Sequence, residues 1–161
     1  MIRKLDQSDA RAVLEIYQSG LDGGEASFET RAPDWSGWDA KYHPFCRLVC
    51  ELDGQVRGWA ALAPVSAREC YRGVAEVSIY VASDQRGRGI GSELMATLVA
   101  KSEDNGIWSL YSSIFAENEA TLKLHLRHGF REVGYRERIA RQHGRWRDTL
   151  ILERRSKVIG L

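Results

Sequence analysis

Long apolar runs are absent from this chain of 161 residues. No stretch approaches the roughly 20 consecutive apolar residues that a membrane span requires. The opening Met1-Ile2-Arg3-Lys4-Leu5-Asp6 lacks the apolar block of a signal peptide. A membrane partner is therefore not expected, and a cytoplasmic location is. Cysteine is sparse and odd in number, three in all, which argues against a disulfide framework and for a reducing compartment. Cys46 and Cys50 sit in a strand-like Cys-Arg-Leu-Val-Cys run. Even with His43 nearby, no fourth ligand stands at zinc-like spacing, so no metal is implied. The formal net charge is only +1. No whole-molecule field draws the chain to nucleic acid, and any anion specificity has to come from a local site. Internal repeats and low-complexity linkers are missing as well.

An apolar share of 43% and a charged share of 28% fit an ordinary globular protein. The length fits one domain over residues 1–161, large enough to bury a core without staples. Residues 2–5 read as a strand. Ser8 or Asp9 can cap a helix to about Ser19, with Ala12, Val13, Ile16 and Tyr17 on its apolar face. A loop over residues 20–33 leads to a short helix at 34–42. Residues 47–52 and 55–63 flank Asp53-Gly54, a strong hairpin signal. A strand at 74–82, a glycine-rich turn and a helix ending near Asn105-Gly106 come next. After them stand a strand at 107–114, a helix at 118–128, and strands at about 133–141 and 146–153 with Gly144 at their turn. The pattern predicts an α/β fold around a mixed, mostly antiparallel sheet flanked by helices.

The chemistry concentrates in the strand Val74-Ala75-Glu76-Val77-Ser78-Ile79-Tyr80-Val81 and in the turn after it. Alternation along a strand puts Ala75, Val77, Ile79 and Val81 on one apolar face, and Val74, Glu76, Ser78 and Tyr80 on the other. An acidic side chain in the middle of so apolar a strand faces either solvent or a polar cavity. The turn is Gln85-Arg86-Gly87-Arg88-Gly89-Ile90-Gly91-Ser92, with glycine at alternate positions 87, 89 and 91. Such a turn lets the backbone bend without a Cβ in the way. A helix begins directly after it, marked by Ile90, Leu94 and Leu98 at four-residue spacing. Unpaired N–H groups and partial positive charge at a helix start make this a phosphate site. A Walker A loop is excluded because Gly-Lys-Ser/Thr is missing. A dinucleotide-binding fingerprint fits poorly, since several strands precede the turn and the next strand ends in Ser112-Ser113-Ile114 without an acidic residue.

Arg86-Gly87-Arg88-Gly89-Ile90-Gly91 resembles the Arg/Gln-x-x-Gly-x-Gly/Ala signature of the GNAT N-acetyltransferase superfamily. Residues 118–130 resemble that superfamily's second signature, an Asn-led helix ending in Gly129-Phe130, and the order of elements matches along nearly the whole chain. Within the superfamily the chain is most similar to the phosphinothricin acetyltransferase-like group. Three stretches carry this likeness: Glu76-Val77-Ser78-Ile79-Tyr80-Val81, Leu124-His125 before Gly129-Phe130, and Gly144-Arg145-Trp146-Arg147-Asp148. The resemblance implies the GNAT acyl-CoA N-acyltransferase fold, with a seven-stranded sheet, and an enzyme that moves acetyl from acetyl-CoA to a small amine. The acceptors it implies are phosphinothricin, methionine sulfoximine or related glutamate and methionine analogues.

By the same resemblance, coenzyme A diphosphate rests on the amides of Arg86, Gly87, Arg88, Gly89, Ile90, Gly91 and Ser92. The Arg88 side chain either adds charge there or is solvated. Pantetheine pairs with the main chain of Ile79, Tyr80 and Val81 in the manner of an added strand. Glu76 is the candidate base that takes the acceptor's ammonium proton; a structural carboxylate paired with an Arg is the competing reading. Asn118 and His125, two helical turns apart, share a face. Asn118 caps the helix, contacts cofactor, or does both. His125 stands where many superfamily members carry a Tyr, and is kept as catalytic: acid, base or substrate-orienting group. Phe28, Glu29, Arg72, Ser78 and Arg147 are candidates for the acceptor pocket, the two arginines as partners for an acidic group. His43, His128 and His143 read as surface residues, and Trp35, Trp38 and Trp59 as packing. Family likeness also implies a homodimer through the C-terminal strands, which Trp146 and Leu150-Ile151-Leu152 would suit. Two other functions compete. A protein or peptide acetyltransferase would need an open groove, whereas the Phe28 loop suggests a closed pocket. A non-catalytic acetyl-CoA sensor would have no reason to keep Glu76 and His125 together.

Overall fold

The computed structural model describes residues 1–161. Along the chain run β1 (Ile2–Lys4), α1 (Ala10–Asp22), α2 (Trp35–Lys41), β2 (Leu48–Leu52), β3 (Gln55–Pro64), β4 (Val74–Val81) and α3 (Ile90–Asp104). After them come β5 (Ser109–Phe115), α4 (Glu119–Arg127), β6 (Arg131–Gln142) and β7 (Arg145–Arg155). All seven strands join one sheet in the order β1-β2-β3-β4-β5-β7-β6. Every neighbouring pair is antiparallel except β4 with β5. The mixed, mostly antiparallel α/β sheet is therefore present as expected. No helix is long and apolar enough to cross a membrane.

Turn chemistry sets the two long hairpins. Asp53 and Gly54 both have positive φ, 51° and 72°, and so do His143 and Gly144 at 51° and 75°. Positive φ at both central positions makes a type I′ turn, whose twist matches that of the flanking strands.

Each face of the sheet carries its own core. On one, α3 presents Ile90, Leu94, Met95 and Leu98 to Leu48, Cys50, Ala60, Leu62, Ala75 and Val77. On the other, Val13, Ile16, Tyr17 and Leu21 of α1 and Trp38 of α2 cover Val49, Trp59, Ala61 and Ala63. Leu94, Met95 and Leu98 are fully buried, each contributing about 1.5–3 kcal/mol by leaving water. Trp38 and Trp59 belong to the second core as expected, with Trp35 stacked on Trp38. Cys46 and Cys50 are buried free thiols, and burial pushes the Cys46 thiol up to about 11.

Four local expectations change. The first helix follows a 3-10 turn (Gln7–Asp9) closed by a reciprocal Asp6–Asp9 capping box, and Asp9 holds its N-cap position without making a side-chain cap bond. The helix also continues past Ser19 to Asp22, since Leu21 prolongs the buried face through Gly20. Ile107 is not in a strand; its N–H closes the end of α3 by bonding Ser102 O at 2.9 Å. Leu150 and Leu152, offered for a dimer contact, are buried in this chain's own core, while Trp146 stays exposed under Arg141.

Gly20 shows how tightly α1 meets the sheet. A Cβ there would lie 2.5 Å from Tyr80 Cδ1. Tyr80 has little room to yield, with Trp59 stacked at 5.1 Å and Tyr17 at 4.7 Å between ring centroids. Ala in a helix is favoured over Gly by about 1 kcal/mol, but overpacking costs about 1–3 kcal/mol. Gly20→Ala is therefore expected to lower the urea midpoint; a raised midpoint would show that the ring moves freely.

Candidate active site

Strand β4 loses one neighbour half-way along. Its pairing with β5 covers only Val74–Glu76 against Ser109–Tyr111. Beyond that, β5 stays with β7 through Phe115, while β4 stays with β3 to Val81. The two strands splay, and the edge of β4 from Val77 to Val81 is left without a strand partner on that side. Two cavities open along this edge, both lined by Ile79, Tyr80, Asn118, Thr121 and Leu124.

The first, of about 340 Å3, runs from β4 to the start of α3 and is lined there by Arg86, Gly87, Gly89, Ile90 and Gly91. Gly87 and Gly89 have φ of 77° and 83°, a conformation natural to glycine, and a Cβ on either would meet only open space. Gly89 is the N-cap of α3 and offers no side chain to cap it. No protein acceptor takes the amides of residues 86–92. Several bare N–H groups at a helix start, reached over glycine, suit an anion such as a diphosphate.

The second cavity, of about 350 Å3, lies beyond Glu76, between β4, the splayed end of β5, and α4. Residues 25–29 line it from the opposite side. Glu76 lines it, open to water, and its carboxylate makes no hydrogen bond or ion pair. Burial by the surrounding protein raises its pKa above the ordinary glutamate value; Lys41 opposes that shift and Glu29 adds to it. His125, buried on the last turn of α4, bonds the Thr121 carbonyl through Nδ1 at 2.7 Å. A carbonyl only accepts, so Nδ1 carries the proton and the neutral ring keeps a lone pair at Nε2. Nε2 is buried without a protein partner. Burial, opposed by the Thr121 bond and aided by nearby His128, lowers this pKa, so the ring is neutral at pH 7. It can accept a proton at Nε2 but holds none there to give.

The acetyltransferase (GNAT) family profile matches residues 10–130, about three quarters of the chain. The chain belongs to the GNAT acetyltransferase family. A phosphinothricin N-acetyltransferase of Alcaligenes faecalis is 32% identical, the match covering 95% of this chain and 81% of that protein. Two solved structures superimpose closely. A ribosomal-protein-alanine N-acetyltransferase from Brucella melitensis has TM-score 0.87 and 31% identity, over 97% of this chain and 99% of that one. A GNAT superfamily phosphinothricin acetyltransferase from Sinorhizobium meliloti, in complex with acetyl-CoA, has TM-score 0.88 and 27% identity, over 96% and 87%.

Placed on this GNAT fold, the residues singled out from the sequence divide. Glu76, Ser78, His125, Phe28 and Glu29 come together around the second cavity. Ile79, Tyr80, Val81, Arg86, Gly87, Gly89, Ile90, Gly91 and Asn118 line the first. Asn118 accepts from Thr121 N–H as N-cap and donates through Nδ2 to Glu25 O at 3.1 Å. The reading of Glu76 as a structural carboxylate paired with Arg is not met. Arg88 and Ser92 side chains do not line the cavity: Arg88 donates to Gln85 at 2.9 Å, and Ser92 Oγ is 2.9 Å from His128 Nε2. His128 and His43 are half-buried rather than on the surface.

Both arginines need correction. Arg72 lies on the surface outside either cavity, held there by Glu69 at 3.4 Å and by the Trp108 ring. Arg147 is buried and lines neither cavity; both terminal nitrogens of its guanidinium are already committed, and only Nε lacks a partner. It donates to Gly24 O and Gln142 Oε1, pairs with Glu25 at 3.3 Å and Glu117 at 2.8 Å, and lies over Phe115. It holds the 24–28 loop in place, helped by Gln142 donating to Ser27 O.

Sequence reasoning missed the loop residues Glu25, Ala26 and Ser27. It also missed Lys41 and gave Tyr17 only a packing role; both line the second cavity. Nothing local in the sequence marks these positions. Replacing Arg147 with Ala is expected to cost about 1–3 kcal/mol in urea unfolding, from unpaired buried acceptors, and to speed amide exchange at residues 24–28. Unchanged exchange there would assign the loop's order to other contacts.

Proposed function

We propose that this GNAT enzyme transfers acetyl from acetyl-CoA to the primary amine of a small amino-acid-like acceptor of the phosphinothricin or methionine sulfoximine type. The single observation that carries the reading is that Glu76, free of any protein partner, lies at the fork where the two cavities approach along β4. The bare amides at the start of α3 fit coenzyme A diphosphate, and the unpaired edge at Ile79, Tyr80 and Val81 fits the amides of pantetheine. Acetyl-CoA supplies the activated acyl group. The chain's own residues position it and move the acceptor's proton.

An amine arrives as an ammonium and must lose a proton before its nitrogen can attack the thioester carbonyl. Glu76 accepts that proton, directly or through water. His125 offers only a lone pair at Nε2, so it orients the ammonium or shares the base role. It does not act as the acid that protonates the leaving thiolate. Similarity to the Brucella ribosomal-protein-alanine N-acetyltransferase favours a protein acceptor. A cavity of about 350 Å3 faced by residues 25–29 favours a small molecule instead. We further propose that two copies pair through the exposed edge at β6, where Val133, Tyr135 and Ile139 are solvent-facing.

The test is acetyl-CoA-dependent thiol release with phosphinothricin, methionine sulfoximine and alanine-led peptides, on the wild type and Glu76→Gln. Turnover is expected with the amino acid analogues. Glu76→Gln should lower kcat by about 10²–10⁴-fold with little change in acetyl-CoA affinity. A base works only when deprotonated, and burial raises the Glu76 pKa. The wild-type rate should therefore fall as pH drops through a value above the ordinary glutamate range, and the variant should lose that limb. Peptide turnover alone would overturn the acceptor class. Equal turnover of wild type and Glu76→Gln at every pH would remove the base.

A further inference from the structure

The arginines that looked suited to an acidic acceptor group are unavailable, one on the surface and one bound within the loop scaffold. Lys41 remains. Among the residues lining the Glu76 cavity it is the only Lys or Arg. It stands in the last turn of α2, and its position is set by Tyr17 of α1, Glu29 of the loop and the neighbouring Tyr42. Nζ donates to Tyr17 Oη at 3.1 Å and to Glu29 Oε1 at 3.4 Å. Tyr17 in turn donates to Glu29 Oε2 at 2.6 Å. The ammonium also lies 5.3 Å from the centroid of Tyr42, whose hydroxyl reaches Ser78 Oγ on β4 at 3.1 Å.

An ammonium carries three N–H donors, and the protein uses two of them here. The other charges of the cavity are arranged to match. Glu25 is paired with Arg147 at 3.3 Å, and Glu29 is held by Tyr17 and Lys41. Glu76 alone has no partner. The cavity thus offers one unpaired carboxylate and one cation with a donor to spare, both facing the same space. That is the complement of a zwitterion: the acceptor's ammonium toward Glu76, its carboxylate toward Lys41.

We infer that Lys41 is the specificity-determining residue that binds the α-carboxylate of the acceptor. The inference rests on the proposed acceptor site at Glu76 and names the group that site selects. Lys41 takes no part in proton transfer; it orients the substrate so that its amine meets Glu76 and the thioester. The Tyr17–Glu29 pair is its support, preventing the flexible stem from swinging out to solvent.

The experiment compares methionine sulfoximine with its α-carboxamide on the wild type, Lys41→Met and Lys41→Arg, reading kcat and KM separately. The wild type should prefer the acid by at least about tenfold in kcat/KM, the scale of one charge-assisted hydrogen bond. Lys41→Met should erase that preference, chiefly through a higher KM for the acid, and Lys41→Arg should restore part of it. Equal losses on acid and carboxamide in Lys41→Met would overturn the inference, because a purely structural lysine affects both alike. Equal use of acid and carboxamide by the wild type would overturn it as well, while leaving the acetyltransferase reading standing. Turnover of neither compound, with peptides accepted instead, would overturn both readings together.

Discussion

Beyond Glu76, β4 keeps its hydrogen-bonding partner on one side only. β3 stays with it to the end, while β5 turns away with β7. Unpaired main-chain groups inside a fold are costly unless something satisfies them, and a strand edge is a ready template for an added strand. The fork supplies both a demand and a shape. It opens where a parallel pair, the only one in the sheet, has begun and then been abandoned. The glycine turn and the start of α3 stand at one end of the open edge, and the partnerless carboxylate at the other. The proposed path of a long, thin thioester carrier runs along that line.

Around the fork, burial and pairing set each side chain's electrical state. Arg147, almost wholly buried, is matched by two carboxylates and two carbonyl oxygens, and so contributes order rather than free charge. His125 is held neutral by burial and fixed in one tautomer by a backbone carbonyl. Glu76 is spared any such partner. Leaving one carboxylate unpaired in a cavity where Glu25 and Glu29 are both engaged is a local exception, and such exceptions concentrate at working sites. The aromatic packing of Tyr17, Trp59 and Tyr80 gives this polar region a stiff floor. The floor also fixes Tyr17, whose hydroxyl reaches the Lys41–Glu29 pair.

Legibility in the sequence tracks the range of the interactions concerned. Asp53-Gly54, the Gly87–Gly91 turn and the Asn118 cap are local devices, each set by a few neighbouring residues, and each is legible from type and spacing. So is the face on which Glu76 sits, because strand alternation is strict. The roles of Arg72 and Arg147 were not legible. Arg147 is defined by contacts with residues more than 100 positions away in the chain, Gly24 and Glu25. Lys41 is an ordinary lysine at a helix end until α2 packs beside α1 and brings it to Tyr17 and Glu29. The tautomer of His125 needed the position of one carbonyl oxygen. Likewise, an apolar run such as Leu150-Ile151-Leu152 reads the same whether it faces a partner or its own core.

The central claim is that bare amides at the start of α3 hold a diphosphate, so that the carrier's arm lies along the open edge of β4. Calorimetric titration with coenzyme A and with pantetheine, which lacks the nucleotide and diphosphate, tests it most directly. Coenzyme A should bind with an affinity at least about 100-fold above that of pantetheine, the scale of two charge-assisted hydrogen bonds. Binding of the two with equal affinity, or no uptake of coenzyme A at all, would contradict it.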